Sequence, residues 1–240
     1  LGRSINQGLP VSRLLAQRLP LTLTLGGTAL LLAAVLGVTL GVLAALHRDK
    51  LPDHLVGSLA TLGMSVPSFW LGILAIIVFA VNLGWLPAAG NATIGRGFDL
   101  VDRLRHLALP AGVLAFTLMP NVIRTTRAAV LETLAADFVR TARSKGMRGA
   151  HTLLRHALPN ALMPVLTVAG VAFTEVVTGS FFVETITGVP GIGRYFVTSV
   201  AARDYPVIIG TTLLFAIVVM VMNLIVDLLY FLINPKLRYG

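Results

Sequence analysis

"LTLTLGGTALLLAAVLGVTLGVLAAL", Leu21–Leu46, runs for 26 residues without a charge. As an α-helix rising about 1.5 Å per residue it would be about 39 Å long, enough to cross a hydrocarbon core of about 30 Å with some tilt. Four further apolar runs follow. Leu55–Leu83 is interrupted by Pro67. A short run from Leu107 to Arg124 contains Pro110 and Pro120. Ala161–Val183 contains Glu175, and Pro206–Ile233 has Asp227 near its end. A buried helix of a soluble protein can imitate one such run but not five. In lipid the backbone must satisfy itself, which leaves helices or a closed barrel. Barrel strands alternate in short segments, and these runs are continuous. The expectation is an all-α integral membrane protein with five spans.

Composition agrees. The chain has 240 residues, 56% of them hydrophobic and 12% charged, with a mean hydropathy of +0.86. A soluble domain carries about 25% charged residues. Cysteine is absent, which removes a disulfide framework and a thiolate metal site. The net charge of +9 does not point to nucleic acid, because the cations cluster in one segment between spans, as on cytoplasmic loops. The chain opens on Leu1 with no leader pattern, and the true N-terminus is expected to be missing.

Leu1–Pro20 carries Val11, Leu14, Leu15 and Leu19 at helical spacing, with Arg13 and Arg18 off that stripe. It reads either as an interfacial amphipathic segment, residues 1–20, ahead of a transmembrane domain over 21–240, or as the start of the first spanning helix. Gly37 and Gly41 form a G-x-x-x-G, which permits close helix packing.

Orientation follows from cations. Arg124, Arg127, Arg140, Arg143, Lys145, Arg148 and Arg155 crowd the connector between the third and fourth runs. The connectors Gly84–His106 and Glu184–Tyr205 hold three and two. The positive-inside bias places Arg124–Arg155 and the C-terminus in the cytoplasm.

The core of that connector is "FVRTARSKGMRGAHTLLRHALP", Phe138–Pro159. Its cations keep it out of lipid, yet it is patterned. Ala135, Phe138, Val139 and Ala142 share one helical face, Gly146 breaks the helix, and Leu153, Leu154, Ala157 and Leu158 form a second stripe closed by Pro159. Two short amphipathic helices joined at a glycine would dock on another protein or lie on lipid phosphates.

Within the spans, Glu175 should face the bundle interior or the pore. It would meet a cationic group of a substrate, or be a protonated or paired acid between helices. Asn223 and Asp227 are four apart, on one face of the last span. A hydrogen-bond network to a neighbouring helix is expected for Asp227, with Asn223 also a candidate for the substrate path. No histidine pair has metal-ligand spacing, so no metal site is expected. The chain has no G-x-x-x-x-G-K-[ST], H-E-x-x-H or G-x-S-x-G. The glycine-rich "GVPGIG", Gly188–Gly193, lacks the following lysine of a phosphate loop.

Gly146, nine residues, then "HALP" resembles the EAA loop of permease subunits of ABC importers. Arg140-Thr141-Ala142 stands where that pattern has E-A-A, and His156 where it has Ile. "FVRTARSKG" and "LLRHALPNALMPVLT" are similar to the dipeptide and oligopeptide permease branch. So are Val183-Glu184, Pro190-Gly191, Arg203-Asp204-Tyr205-Pro206, Asn223, Asp227 and Asn234-Pro235, with Asn234 replacing a more usual Asp. The resemblance covers essentially all 240 residues.

It implies a MetI-like helical bundle in a bacterial cytoplasmic membrane, with a sixth, N-terminal span. It implies a coupling loop over about 128–160, where Phe138, Val139, Arg140, Thr141, Ala142, Lys145, Gly146, Leu158 and Pro159 meet an ATPase, and a structural role for Pro190 and Gly191. Expected partners are a second permease subunit, two ATPase subunits carrying ATP and magnesium, an extracytoplasmic binding protein and the bilayer, with no cofactor on this chain. The implied activity is import of di- or oligopeptides. Nickel chelates or glutathione are alternatives within the branch, and an ATP-independent transporter or channel is an alternative of another class. A membrane enzyme would need a reactive cluster that the sequence lacks.

Overall fold

The computed structural model describes residues 1–95, 97–139 and 158–233. Their secondary structure is helical: α1 Val11–Leu46, α2 Leu51–Ser65, α3 Ser68–Ala75, α4 Leu100–Ala135, α5 Leu158–Gly179, α6 Phe181–Ile186, α7 Ile192–Ala201 and α8 Tyr205–Ile233. A π-helical stretch, Ile76–Asn82, continues α3.

The apolar runs become helices, with informative differences. No break separates residues 11–20 from the first run, because α1 continues through Pro20. The second run is two helices. Proline disfavours helical backbone at the residue before it; α2 stops at Ser65, and Pro67 caps α3 in an extended conformation. The third run, short in sequence, extends to a helix of 36 residues that runs through Pro110 and Pro120. Each proline removes one backbone donor, a loss that membrane helices tolerate when neighbours compensate. Among the described residues three helices are long and apolar enough to cross a membrane, and four if the pair broken near Pro67 counts as one span. Within α5 the apolar part is shorter, Ala161–Val177.

The chain divides into two compact units. The first comprises Leu1–Leu32, Val66–Thr117 and Ala172–Met222. The apolar stripe of its N-terminal segment packs on protein: Val11, Leu14 and Leu15 are buried with Ile192, Tyr195 and Val207, flanked by Leu19, Leu214 and Phe215. Gly210 allows this approach, since a Cβ there would meet Val11 Cγ1 at 2.6 Å.

The second unit comprises Ala33–Ser65, Leu118–Val171 and Asn223–Gly240. Here the G-x-x-x-G of α1 lies against α4. A Cβ on Gly37 would fall 2.8 Å from Val122, and one on Gly41 would fall 2.7 Å from Thr126 Cβ and 2.8 Å from the Ile123 carbonyl. Neither position leaves room for a methyl group. Ala45, Ala129, Val130 and Ala161 extend the small-residue packing, with Val42, Leu131 and Leu134 beside them.

Candidate functional site

In the first unit, three remote segments meet at the start of α7. Glu184, on α6, is wholly buried. Its Oε1 accepts hydrogen bonds from Thr22 Oγ1 at 2.8 Å and Ser180 Oγ at 3.0 Å. Its Oε2 accepts the Arg194 amide at 2.9 Å. Thr22, on α1, accepts the Ile192 amide at 2.8 Å. The first amides of a helix lack partners within the helix, and a carboxylate is favoured at that end. Ordinarily the capping residue supplies an acceptor. Here the cap is Gly191, in extended backbone, and side chains from α1 and α6 do that work.

Glycine at position 191 follows from this arrangement. A Cβ there would stand 2.6 Å from Thr22 Oγ1 and would overlap the Glu184 carboxylate. The preceding turn is set by Gly188, whose φ of +66° favours glycine. Arg194 Nη1 donates to the Gly188 carbonyl at 2.7 Å, and the Gly90 amide donates to the Thr187 carbonyl at 2.9 Å. Both carboxylate oxygens of Glu184 accept hydrogen bonds from these donors, which makes it a structural acceptor.

A second buried carboxylate, Asp204, ties down the N-terminal turn of the same unit. It accepts bonds from the Ser4 hydroxyl and from the Ile5 and Asn6 amides, the last two at 3.2 and 3.4 Å. Burial pushes this carboxyl up, and the bonds from Ser4, Ile5, Asn6 and Val207 together outweigh it, leaving Asp204 below its ordinary value.

In the second unit, Asp53 in the first turn of α2 accepts Arg127 Nε at 2.7 Å and Nη2 at 2.6 Å, and also the Asp49 amide at 2.9 Å. This bidentate pair joins the start of α2 to α4. Beside it runs a groove of about 750 Å³ lined by Arg124, His54, Thr61 and Ile123 among others. α4 ends at Ala135, and residues 137–139 turn helical again.

The expected coupling residues are only partly visible. Phe138 is 47% exposed and Val139 is fully buried, so the two divide between surface and interior. Arg140, Thr141, Ala142, Lys145 and Gly146 lie outside the described residues. Leu158 and Pro159 open α5, where proline fits because its missing N–H would have no partner in the first turn. Glu175 is exposed on α5, and Asn223 and Asp227 are exposed on α8. Pro190 is exposed and Gly191 buried at the Glu184 cluster. Among the described residues no three His, Asp or Glu side chains converge as metal ligands.

Sequence reading missed the Thr22–Glu184 link, the Ser4–Asp204 link and the Asp53–Arg127 pair. The partners are 162, 200 and 74 residues apart. Thr22 left no trace of its own, since Thr24, Thr28 and Thr39 stand in the same run.

Residues 37–239 match the family described as "Binding-protein-dependent transport system inner membrane component". The chain is 41% identical over 235 residues to the oligopeptide transport system permease protein AppB of Bacillus subtilis, covering 98% of this chain and 74% of that protein. It is 42% identical over 229 residues to the dipeptide transport system permease protein DppB of the same species, covering 95% and 71%. Among solved structures it resembles the inward-facing MetNI methionine ABC transporter, with a TM-score of 0.76 at 18% identity, covering 94% of this chain and 98% of that one. At that identity the likeness concerns the fold.

Proposed function

The chain belongs to the family of binding-protein-dependent transport system inner membrane components, and from that premise we propose that it lines the translocation path of an ATP-driven peptide importer, driven through its cytoplasmic segment at about 128–160. The observation that carries the peptide reading is near-complete alignment, at 41 and 42% identity, with two permeases named for oligopeptide and dipeptide transport.

ATP and magnesium bind on partner ATPase subunits, consistent with a chain that has no phosphate loop. In this reading the segment Arg124–Arg155 lies in the cytoplasm, supported by its seven cations, and the C-terminus lies on the same side. The Glu184 cluster then lies on the outer side, where an extracytoplasmic binding protein delivers substrate. A second permease subunit completes the pore. Phe138 presents an apolar surface at the entrance to the coupling segment, and Gly146 supplies the turn within it. Motion of the ATPase pair reaches α4 and α5 because the segment joins their ends.

The placement is tested by a photo-cross-linking amino acid at position 143 of the assembled importer. Capture of a nucleotide-hydrolysing subunit is expected. Capture of only lipid, or labelling from the outer face alone, would overturn it.

A further inference from the structure

In the first unit, beside the capped start of α7, lies a pocket of about 260 Å³ whose lining includes Gln7, Arg18, Gly191, Arg194, Tyr195 and Thr198. Two of its walls are guanidinium groups and none is an acid. Arg18 stacks over the Tyr195 ring at 4.0 Å and gives one bond, 3.2 Å, to the Leu14 carbonyl. Arg194 gives one bond to the Gly188 carbonyl. Most donors of both forks remain without a partner among the described residues. Neither nearby acid is bonded to a guanidinium of the pocket: Glu184 accepts from Thr22, Ser180 and the Arg194 amide, and Asp204 from Ser4, Ile5 and Asn6. Two like charges held by stacking and backbone bonds around an open pocket attract an anion, and the planar fork of arginine matches a carboxylate.

We propose that this pocket receives a carboxylate side chain of the importer's binding protein and anchors it on the outer face. The proposal rests on the importer reading and the orientation given above. The occupant follows from charge complementarity: a cationic, acid-free pocket on the face where the binding protein arrives. Arg18 and Arg194 hold the carboxylate, while Tyr195 and the Gly188 carbonyl fix the two guanidiniums in place.

The test uses the complete importer in lipid nanodiscs, titrated with its own peptide-loaded binding protein while ATP hydrolysis is followed. Arg18→Glu should raise the half-saturating concentration of binding protein about tenfold at low salt, in keeping with the loss of a charged contact across an interface. Arg18→Lys should recover part of that loss. Arg13→Glu makes the same charge change at an exposed site of α1 outside the pocket, and should stay near wild type. Equal shifts for Arg13→Glu and Arg18→Glu, or no shift for Arg18→Glu and Arg194→Gln, would overturn the proposal. So would competition by millimolar N-acetylglutamate that leaves binding-protein affinity intact yet blocks uptake, which would assign the pocket to a small carboxylate. A wild-type complex whose hydrolysis ignores the binding protein would overturn the importer reading itself, and the pocket's role with it.

Discussion

Gly191 and Glu184 are the residues where local chemistry is least forgiving. Gly191→Ala places a methyl group against Thr22 and the Glu184 carboxylate, so one of the capping bonds at α7 must break. Glu184→Ala leaves Thr22, Ser180 and the Arg194 amide without their acceptor. A buried donor stranded in this way costs about 1–3 kcal/mol. Thermal unfolding of the purified importer should show Gly191→Ala and Glu184→Ala both less stable than wild type, and the double variant no worse than the sum. A wild-type midpoint in Glu184→Ala would mean the carboxylate is not holding α7. Asp204 supplies a pH signature. Its folded value lies below the ordinary one, which for an unfolded Asp is roughly 3.9. Its stabilisation is therefore present above that value and is lost as pH falls through the depressed folded value. Protection factors at Ile5 and Asn6, with exchange corrected for its intrinsic pH dependence, should be high at neutral pH and fall under acid, whereas Asp204→Asn should be poorly protected throughout. Unchanged protection in Asp204→Asn would remove Asp204 as the anchor of that turn.

At the scale of elements, the G-x-x-x-G of α1 makes a firm prediction. Gly41→Val drives a branched side chain into Thr126 and the Ile123 carbonyl, and overpacking of this kind costs about 1–3 kcal/mol. The variant should insert but unfold at a lower temperature, while Gly27→Val, whose Cβ meets nothing within 4 Å, should not. What the sequence made legible at this scale was hydrophobic length. Leu21–Leu46 and Pro206–Ile233 could be read directly, because lipid demands uninterrupted apolar residues. Pro67 was legible as a break, since the residue before a proline resists helical backbone. The extent of α4 was not. Pro110, Pro120 and the charges at Arg103, Arg105, Arg124 and Arg127 look like boundaries in one dimension, and the helix runs past all of them. Arg127 is accommodated by Asp53, a partner that no local window contains. The Glu184 cap was hidden for the same reason: its acceptors come from α1 and α6, and the cap position itself carries no side chain.

At the scale of the whole molecule, the proposed importer requires that force applied to the segment at about 128–160 reach the spans. Ala142→Asp puts a charge on the expected docking ridge, and Gly146→Pro stiffens the expected turn. Both proteins should insert and assemble, and both should hydrolyse ATP without moving substrate. The most direct measurement is ATP-driven uptake of a labelled dipeptide into proteoliposomes containing the complete importer, compared with the same vesicles lacking the ATPase subunits and with vesicles carrying Ala142→Asp. Uptake is predicted in the first, and none above leakage in the other two. Accumulation that persists without the ATPases, or a normal rate in Ala142→Asp, would contradict a pore worked by a separate motor through this segment.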